Sequence, residues 1–293
     1  MKSNKYEIDM CNGSIMDKLV SFALPLMLSG ILQLMFNAVD IIVVGRFSGS
    51  EALAAVGSTT ALINVFTNLF IGISLGANVL AARFFAAGRK EEMSETVHTS
   101  ITLALISGIL MAFVGLVFSK GALELMGTPE DVIGLSTLYM RIYFMGMPFF
   151  MLYNYGAAIL RAVGDTKRPL YFLIIAGVIN AGLNMVLVIV FGLGVAGVGI
   201  ATVFSQFVSG VGIGLYTLKQ FPELCPRRED CKWDKHNLGT ILNLSGSVCK
   251  LVSTTVKLTV IGNQFLCFFQ FFFLNVPTPF SSPASRPWTA SAP

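Results

Sequence analysis

The first 218 residues alternate between long apolar stretches without charge and short polar segments. About 20 helical residues, each rising about 1.5 Å, cross the roughly 30 Å hydrocarbon layer of a bilayer. Glycines from Gly192 to Gly199 divide the last uncharged stretch, residues 169–218, into a hairpin. The pattern predicts six membrane-spanning helices, at about 18–45, 52–82, 96–118, 134–159, 169–191 and 196–218.

The polar segments define the remaining organisation. Residues 1–17 form a short polar N-terminus, and residues 18–218 form the six-span lobe. Residues 219–238 are a polar, basic loop. Residues 239–293 then change to a Phe-rich run and a Pro/Ser tail, which is typical of a truncated or frame-shifted end. We therefore expect an all-α integral membrane protein: a six-helix transmembrane bundle followed by an atypical hydrophobic segment.

Composition supports a membrane protein and excludes several other classes. Hydrophobic residues make up 54% of the chain, charged residues 12%, and the mean hydropathy is +0.73. The excess of Lys and Arg falls mainly in the loops on the side of the N-terminus, which predicts a cytoplasmic N-terminus in the plasma membrane rather than nucleic-acid binding. No phosphate loop, nucleophile elbow or zinc-ligand spacing occurs, so we expect neither an enzyme nor a cofactor.

The first span carries a stripe of polar residues and a carboxylate. Ser29, Gln33, Asn37 and Asp40 are spaced four, four and three residues apart, which places them on one face of a helix. A charge at Asp40 is costly inside the bilayer and requires a partner or a water-filled cavity. Pro25 removes one helical hydrogen bond and is the predicted hinge.

Three other spans carry similar polar stripes, which two readings explain equally. These residues are Asn64 and Asn68 in the second span, Asn180 and Asn184 in the fifth, and Thr202, Gln206 and Ser209 in the sixth. They can hydrogen-bond between helices, or they can line one cavity with Gln33 and Asn37. Their oxygens can complete the coordination of a cation at Asp40 or accept the hydrogen bond of a protonated Asp40.

The tyrosines of the fourth span also have two interpretations, and a pair of glycines in the sixth span indicates helix packing. Tyr139, Tyr143, Tyr153 and Tyr155 can anchor the fourth span at the membrane interfaces or form an aromatic wall for an organic cation. The Gly210-xxx-Gly214 spacing permits close contact between helices.

Several motifs in order along the chain resemble the multidrug and toxic compound extrusion (MATE) transporters. They are Pro25, Val39-Asp40, Leu53-Ala-Ala-Val-Gly57, Gly72-xxx-Gly76 with Ala81-Ala-Arg83, Arg161-x-x-Gly-Asp-Thr166, Asn180, and Gly197-x-Gly-x-Ala-Thr202. The resemblance covers about residues 14–246. It implies an antiporter that exports cationic or amphiphilic organic compounds in exchange for H⁺ or Na⁺.

The resemblance also implies site residues and partners. Asp40, Asn180 and Thr202 match the cation site of the family's N-terminal lobe, whereas Asn184 stands where the family has an acid. That departure favours H⁺, and no metal other than Na⁺ at Asp40 is expected. The family has twelve spans in two lobes, so we expect a second lobe or a second copy as partner, with membrane lipid and small organic cations as the other partners. The alternatives are a non-transporting half-transporter and a lipid-linked oligosaccharide flippase, which needs basic residues in its cavity.

Overall fold

The computed structural model describes residues 15–220, which form helices and no strand. The predicted features at 1–14 and 221–293, including most of the basic loop and all of the atypical end, lie outside the described residues. The helices are α1 (Ile15–Phe47), α2 (Gly49–Ala86), α3 (Lys90–Leu125), α4 (Glu130–Met145), α5 (Met147–Ala162), α6 (Lys167–Asn184), a π-helical turn (Met185–Val190) and α7 (Gly194–Gln220).

The expected all-helical membrane fold is confirmed. Four helical segments of the described range have the length and apolar composition needed to cross a membrane: Val20–Phe47, Glu91–Leu125, Lys167–Val190 and Gly194–Thr217. The predicted break is present between the π-helical turn and α7, where Gly192 in the turn and Gly194 at the first position of α7 adopt φ values of +64° and +54°. Backbone in that region is unfavourable for residues with a Cβ, which explains why glycines mark this turn.

The fourth predicted span is not one continuous helix. It divides into α4 and α5 at Gly146, although the sequence predicted a single span over 134–159. Pro148 cannot donate a backbone hydrogen bond, and a proline is favourable in the first turn of a new helix. The last turn of α4 is closed by a hydrogen bond from the Gly146 N–H to the Tyr143 carbonyl at 3.0 Å.

Helix α5 is the buried centre of the bundle and packs against α2, α3 and α7. Residues from Tyr155 to Leu160 are all buried. Glycines on the neighbouring helices allow these helices to come close to the break that precedes α5. On α3, a Cβ at Gly108 would lie 2.5 Å from the Pro148 Cα, and on α7 a Cβ at Gly210 would overlap the Phe149 carbonyl oxygen. The bundle therefore holds the start of α5 by direct backbone contact on two sides.

Gly210→Ala should destabilise the protein by about 1–3 kcal/mol, because the added methyl group must displace helix backbone rather than a flexible side chain. The measurement is the free energy of unfolding by SDS titration in mixed micelles. Gly182→Ala is the matched control, since a Cβ there meets nothing within 4 Å. Equal stability of Gly210→Ala and the parent would show that α5 and α7 pack less closely than described.

Candidate functional site: a polar cavity around Asp40

A cavity of about 260 Å³ lies among α1, α2, α4, α5, α6 and α7. The polar residues that the sequence singled out in four separate spans meet on its wall. They are Gln33, Asn37 and Asp40 of α1, Asn64 and Asn68 of α2, Asn180 of α6, and Thr202, Gln206 and Ser209 of α7. These side chains share one cavity wall, and two of them, Asn180 and Thr202, also form a hydrogen bond between helices.

Asp40 is the last residue of the polar stripe of α1 and is 8% exposed. The Asn184 side chain, which is fully buried, donates a hydrogen bond from Nδ2 to Asp40 Oδ1. The same Nδ2 donates to Asn180 Oδ1 at 3.2 Å, which is possible because Asn180 and Asn184 are one helical turn apart. The carboxylate is thereby joined to two amides of α6.

The network continues from α6 to α7. Asn180 donates from Nδ2 to Thr202 Oγ1 at 3.3 Å, and the Thr202 hydroxyl donates to the Val198 carbonyl at 2.9 Å. All four predicted ion-site residues, Asp40, Asn180, Asn184 and Thr202, are therefore in one hydrogen-bonded chain across three helices. Packing of α1 and α7 against α6 brings these segments together.

The directions of these hydrogen bonds show that the network supplies no positive charge to Asp40. The hydrogen bond that Asp40 Oδ1 accepts comes from a neutral amide, and Asn184 Oδ1 is buried without a hydrogen-bond partner among the described residues. A buried carboxylate without a full counter-charge is costly, so uptake of a proton or a cation at Asp40 is favourable. Within residues 15–220 no three His, Cys, Asp or Glu side chains come together, so the donor set is one carboxylate plus amide and hydroxyl groups.

Aromatic rings form the wall beside this polar network. Tyr139, Tyr143 and Tyr153 line the cavity together with Phe36 and Phe150. The Tyr139 and Tyr143 ring centroids are 6.2 Å apart. The aromatic-wall alternative therefore describes three of the four tyrosines, whereas Tyr155 lies fully buried in an apolar cluster. Aromatic faces next to one carboxylate are a suitable environment for an organic cation.

Pro25 lies buried within α1, about four turns before Asp40. Its carbonyl accepts a hydrogen bond from the Ser29 hydroxyl at 2.8 Å. Helix α1 continues through Pro25 without interruption. The hinge role of Pro25 therefore stays a prediction.

Sequence reasoning missed several cavity residues. Thr67 and Ser205 line the cavity, and each lies three residues after a residue that was identified, Asn64 and Thr202. Extending each stripe by the i+3 rule would have found both. The polar signal could not reveal Phe36 and Phe150, because apolar residues inside a span do not stand out.

The MatE family profile matches residues 25–186, which include all of the polar stripe of α1. The chain belongs to the MatE family. The probable multidrug resistance protein YoeA of Bacillus subtilis is 37% identical over 232 residues, which are 76% of this chain and 50% of that relative. The chain thus spans about half the length of this curated relative.

Solved structures show the same fold. Crystal structures of MATE in the bent and in the straight conformation superpose on this MatE chain with TM-scores of 0.77 and 0.78, each at 25% identity. The matches cover 84% and 88% of this chain but 55% and 57% of those chains. The fold is therefore about half of a MATE transporter, and the chain is a multi-pass membrane protein.

Proposed function

We propose that this chain is one lobe of a secondary antiporter that exports organic cations in exchange for protons. The observation that carries the proposal is a single carboxylate, Asp40, on the wall of a cavity lined by amides and aromatic rings. The proposal is supported by relatives that are described as multidrug resistance or multidrug export proteins. We place the lobe in the plasma membrane with its N-terminus in the cytoplasm, on the charge pattern of its loops.

The charges of the cavity favour cations over anionic substrates. Asp40 is the one carboxylic acid among the described cavity residues, and none of them is a Lys or an Arg. Arg141 of α4 is exposed and does not line the cavity. A lipid-linked oligosaccharide carries a phosphate group, which such a wall does not favour, so the flippase alternative is less supported.

The coupling step in this proposal is competition for Asp40. A proton on the carboxyl group removes the charge that attracts the organic cation, and loss of the proton restores that charge. Movement of one proton through 100 mV supplies about 2.3 kcal/mol. The hinge at Pro25 lets α1 respond to the charge state of Asp40, and Asn180, Asn184 and Thr202 hold the hydrogen bonds of either state.

Ethidium binding to the purified chain in lipid nanodiscs tests this function. The affinity is expected to rise with pH, because deprotonation of the cavity carboxylate exposes the charge that binds the cation. The binding curve is measured by ethidium fluorescence at constant ionic strength, with KCl or NaCl as the salt. Affinity that does not change with pH, or no ethidium binding at any pH, would contradict the proposal.

Transport requires a second lobe in this proposal. Gln33 and Asn37 line the cavity and yet are exposed on α1, and exposed polar groups at membrane depth need protein or water as a partner. Since the chain spans about half of its relatives, a second copy or a separate chain would cover them. In proteoliposomes, ethidium export by a dimer supports the antiporter, whereas binding without export supports the non-transporting half-transporter.

Asn184→Asp should make ethidium binding sensitive to Na⁺. A second carboxylate beside Asp40 attracts a small cation strongly, because two charges 4 Å apart interact by about 4 kcal/mol near a protein surface. We expect Na⁺ to compete with ethidium at concentrations at least about tenfold lower than in the parent chain, which is a change of only 1.4 kcal/mol. The measurement is NaCl titration against KCl at pH 8.

Asn64→Asp is the matched control for this prediction. It adds the same charge to the cavity wall, but Asn64 is outside the hydrogen-bonded chain around Asp40. An equal gain of Na⁺ competition in both variants would show that cavity charge alone, and not the Asp40 network, sets ion preference.

A further inference from the structure

Phe36 and Gly177 form a close contact at the edge of the cavity. The Phe36 ring of α1 lies so close to Gly177 of α6 that a Cβ at position 177 would overlap three ring atoms, Cζ, Cε1 and Cε2. Both residues line the cavity. Gly177 has no side chain to occupy this space, and the ring fills it.

This contact is the neighbour of the Asp40 network along the same pair of helices. Phe36 precedes Asp40 by four residues, about one turn of α1, and Gly177 precedes Asn184 by seven residues, about two turns of α6. Helices α1 and α6 therefore meet at two levels, one to two helical turns apart: the Phe36 ring over Gly177, and the Asp40 carboxylate hydrogen-bonded to the Asn184 amide. The ring is a wall of the cavity close to the group that attracts a cation.

We infer that the Phe36–Gly177 contact sets the width of the cavity beside Asp40 and thereby selects organic cations by size. Any side chain at position 177 excludes the ring from its present place against α6. Because the cavity is the empty space beside the ring, the ring then turns into the cavity and narrows it. Gly177 thus acts through Phe36, as a residue that positions the ring rather than one that contacts the cation. The choice among cations rests on the function proposed above, whereas the width of the cavity does not.

A cysteine-labelling experiment measures this width without any transported substrate. The five native cysteines are replaced by serine, and Ser205→Cys is introduced on the cavity wall of α7. The 293-residue chain in nanodiscs is labelled with a small and with a bulky methanethiosulfonate cation. The measured quantity is the ratio of the bulky rate to the small rate.

Gly177→Ala is expected to lower this ratio about tenfold, the lower end of what one methyl group achieves in a closely fitting pocket. Phe36→Ala is expected to raise the ratio and, combined with Gly177→Ala, to restore it. Gly182→Ala on the same helix should leave the ratio unchanged, because a Cβ there meets nothing within 4 Å.

Three results would overturn the inference: an unchanged ratio in Gly177→Ala, a failure of Phe36→Ala to restore the ratio, or an equal loss in Gly182→Ala. If Gly177→Ala does not fold, an unchanged ratio in Phe36→Ala alone would overturn it.

Binding of two cations of different size connects this width to selectivity. Gly177→Ala should weaken binding of ethidium about tenfold relative to tetramethylammonium, and the double variant with Phe36→Ala should reverse the change. Equal weakening of both cations would overturn the size selection. If the parent chain binds neither cation, the proposed function fails, while the labelling ratio still decides whether Phe36 and Gly177 set the width.

Discussion

Asp40→Asn is expected to abolish the pH dependence of ethidium binding and to weaken that binding at pH 8 by at least about 30-fold. Loss of one partner from a buried charge pair costs about 2 kcal/mol or more, which corresponds to this factor. Asparagine has nearly the same shape as aspartate, so the wall of the cavity is preserved while its charge is removed. Ethidium titration in nanodiscs from pH 5 to pH 8 measures both effects.

Asp17→Asn is the matched control for this variant. Asp17 is an acid in the first turn of the same helix and is exposed, and it does not line the cavity. The same substitution there should leave the affinity and its pH dependence at the parent values. Parent-like binding by Asp40→Asn would show that the cation binds elsewhere and that this carboxyl group does not couple proton and substrate.

The sequence predicted the helices well where helix formation depends on hydrogen bonds within one segment of the chain. A stretch without charge must form backbone hydrogen bonds within itself in a bilayer, so its position and length define a helix. The break at Gly146 could not be predicted in the same way, because a proline such as Pro148 is tolerated inside many membrane helices. Whether the helix bends or divides depends on neighbours, here Gly108 on α3 and Gly210 on α7, which contact the backbone at the break.

The wall of the cavity was predictable to a similar extent. Helical spacing placed Asn64, Asn180 and Gln206 on faces that the structure brings together. Their connection was not predictable, since it depends on the depth at which helices from distant parts of the chain meet. That Asn184, rather than Asn180, donates to Asp40 is a property of the packing of α1 on α6. The contact between Phe36 and Gly177 gives no polar signal in the sequence at all.

Arg168→Gln should destabilise the protein by about 3–5 kcal/mol, the cost of removing one partner from a buried ion pair. The Asp165 carboxylate lies fully buried in the turn between α5 and α6, with Oδ2 at 3.1 Å from Arg168 Nη1. The Arg168 guanidinium also lies 4.7 Å from the centre of the Tyr216 ring of α7. The pair therefore joins the start of α6 to the end of α7, and the free energy of unfolding by SDS titration measures its loss.

The pH dependence of the stability of Arg168→Gln shows whether the unpaired Asp165 carboxylate causes the destabilisation. Burial raises the pKa of Asp165, and Arg168 and Lys167 oppose that change, so removal of the arginine raises the pKa further. A raised pKa means that the folded state of the variant holds its proton more tightly than the unfolded state, so the destabilisation should shrink as the pH is lowered. Lys167→Gln, at an exposed neighbour, should have little effect. Combining Arg168→Gln with Asp165→Asn should recover part of the stability, because the asparagine side chain can still accept the backbone N–H of residue 168 at the start of α6 without burying a charge. A pH-independent loss, or no recovery in the double variant, would show that the stacking of Arg168 on Tyr216 is the main contribution.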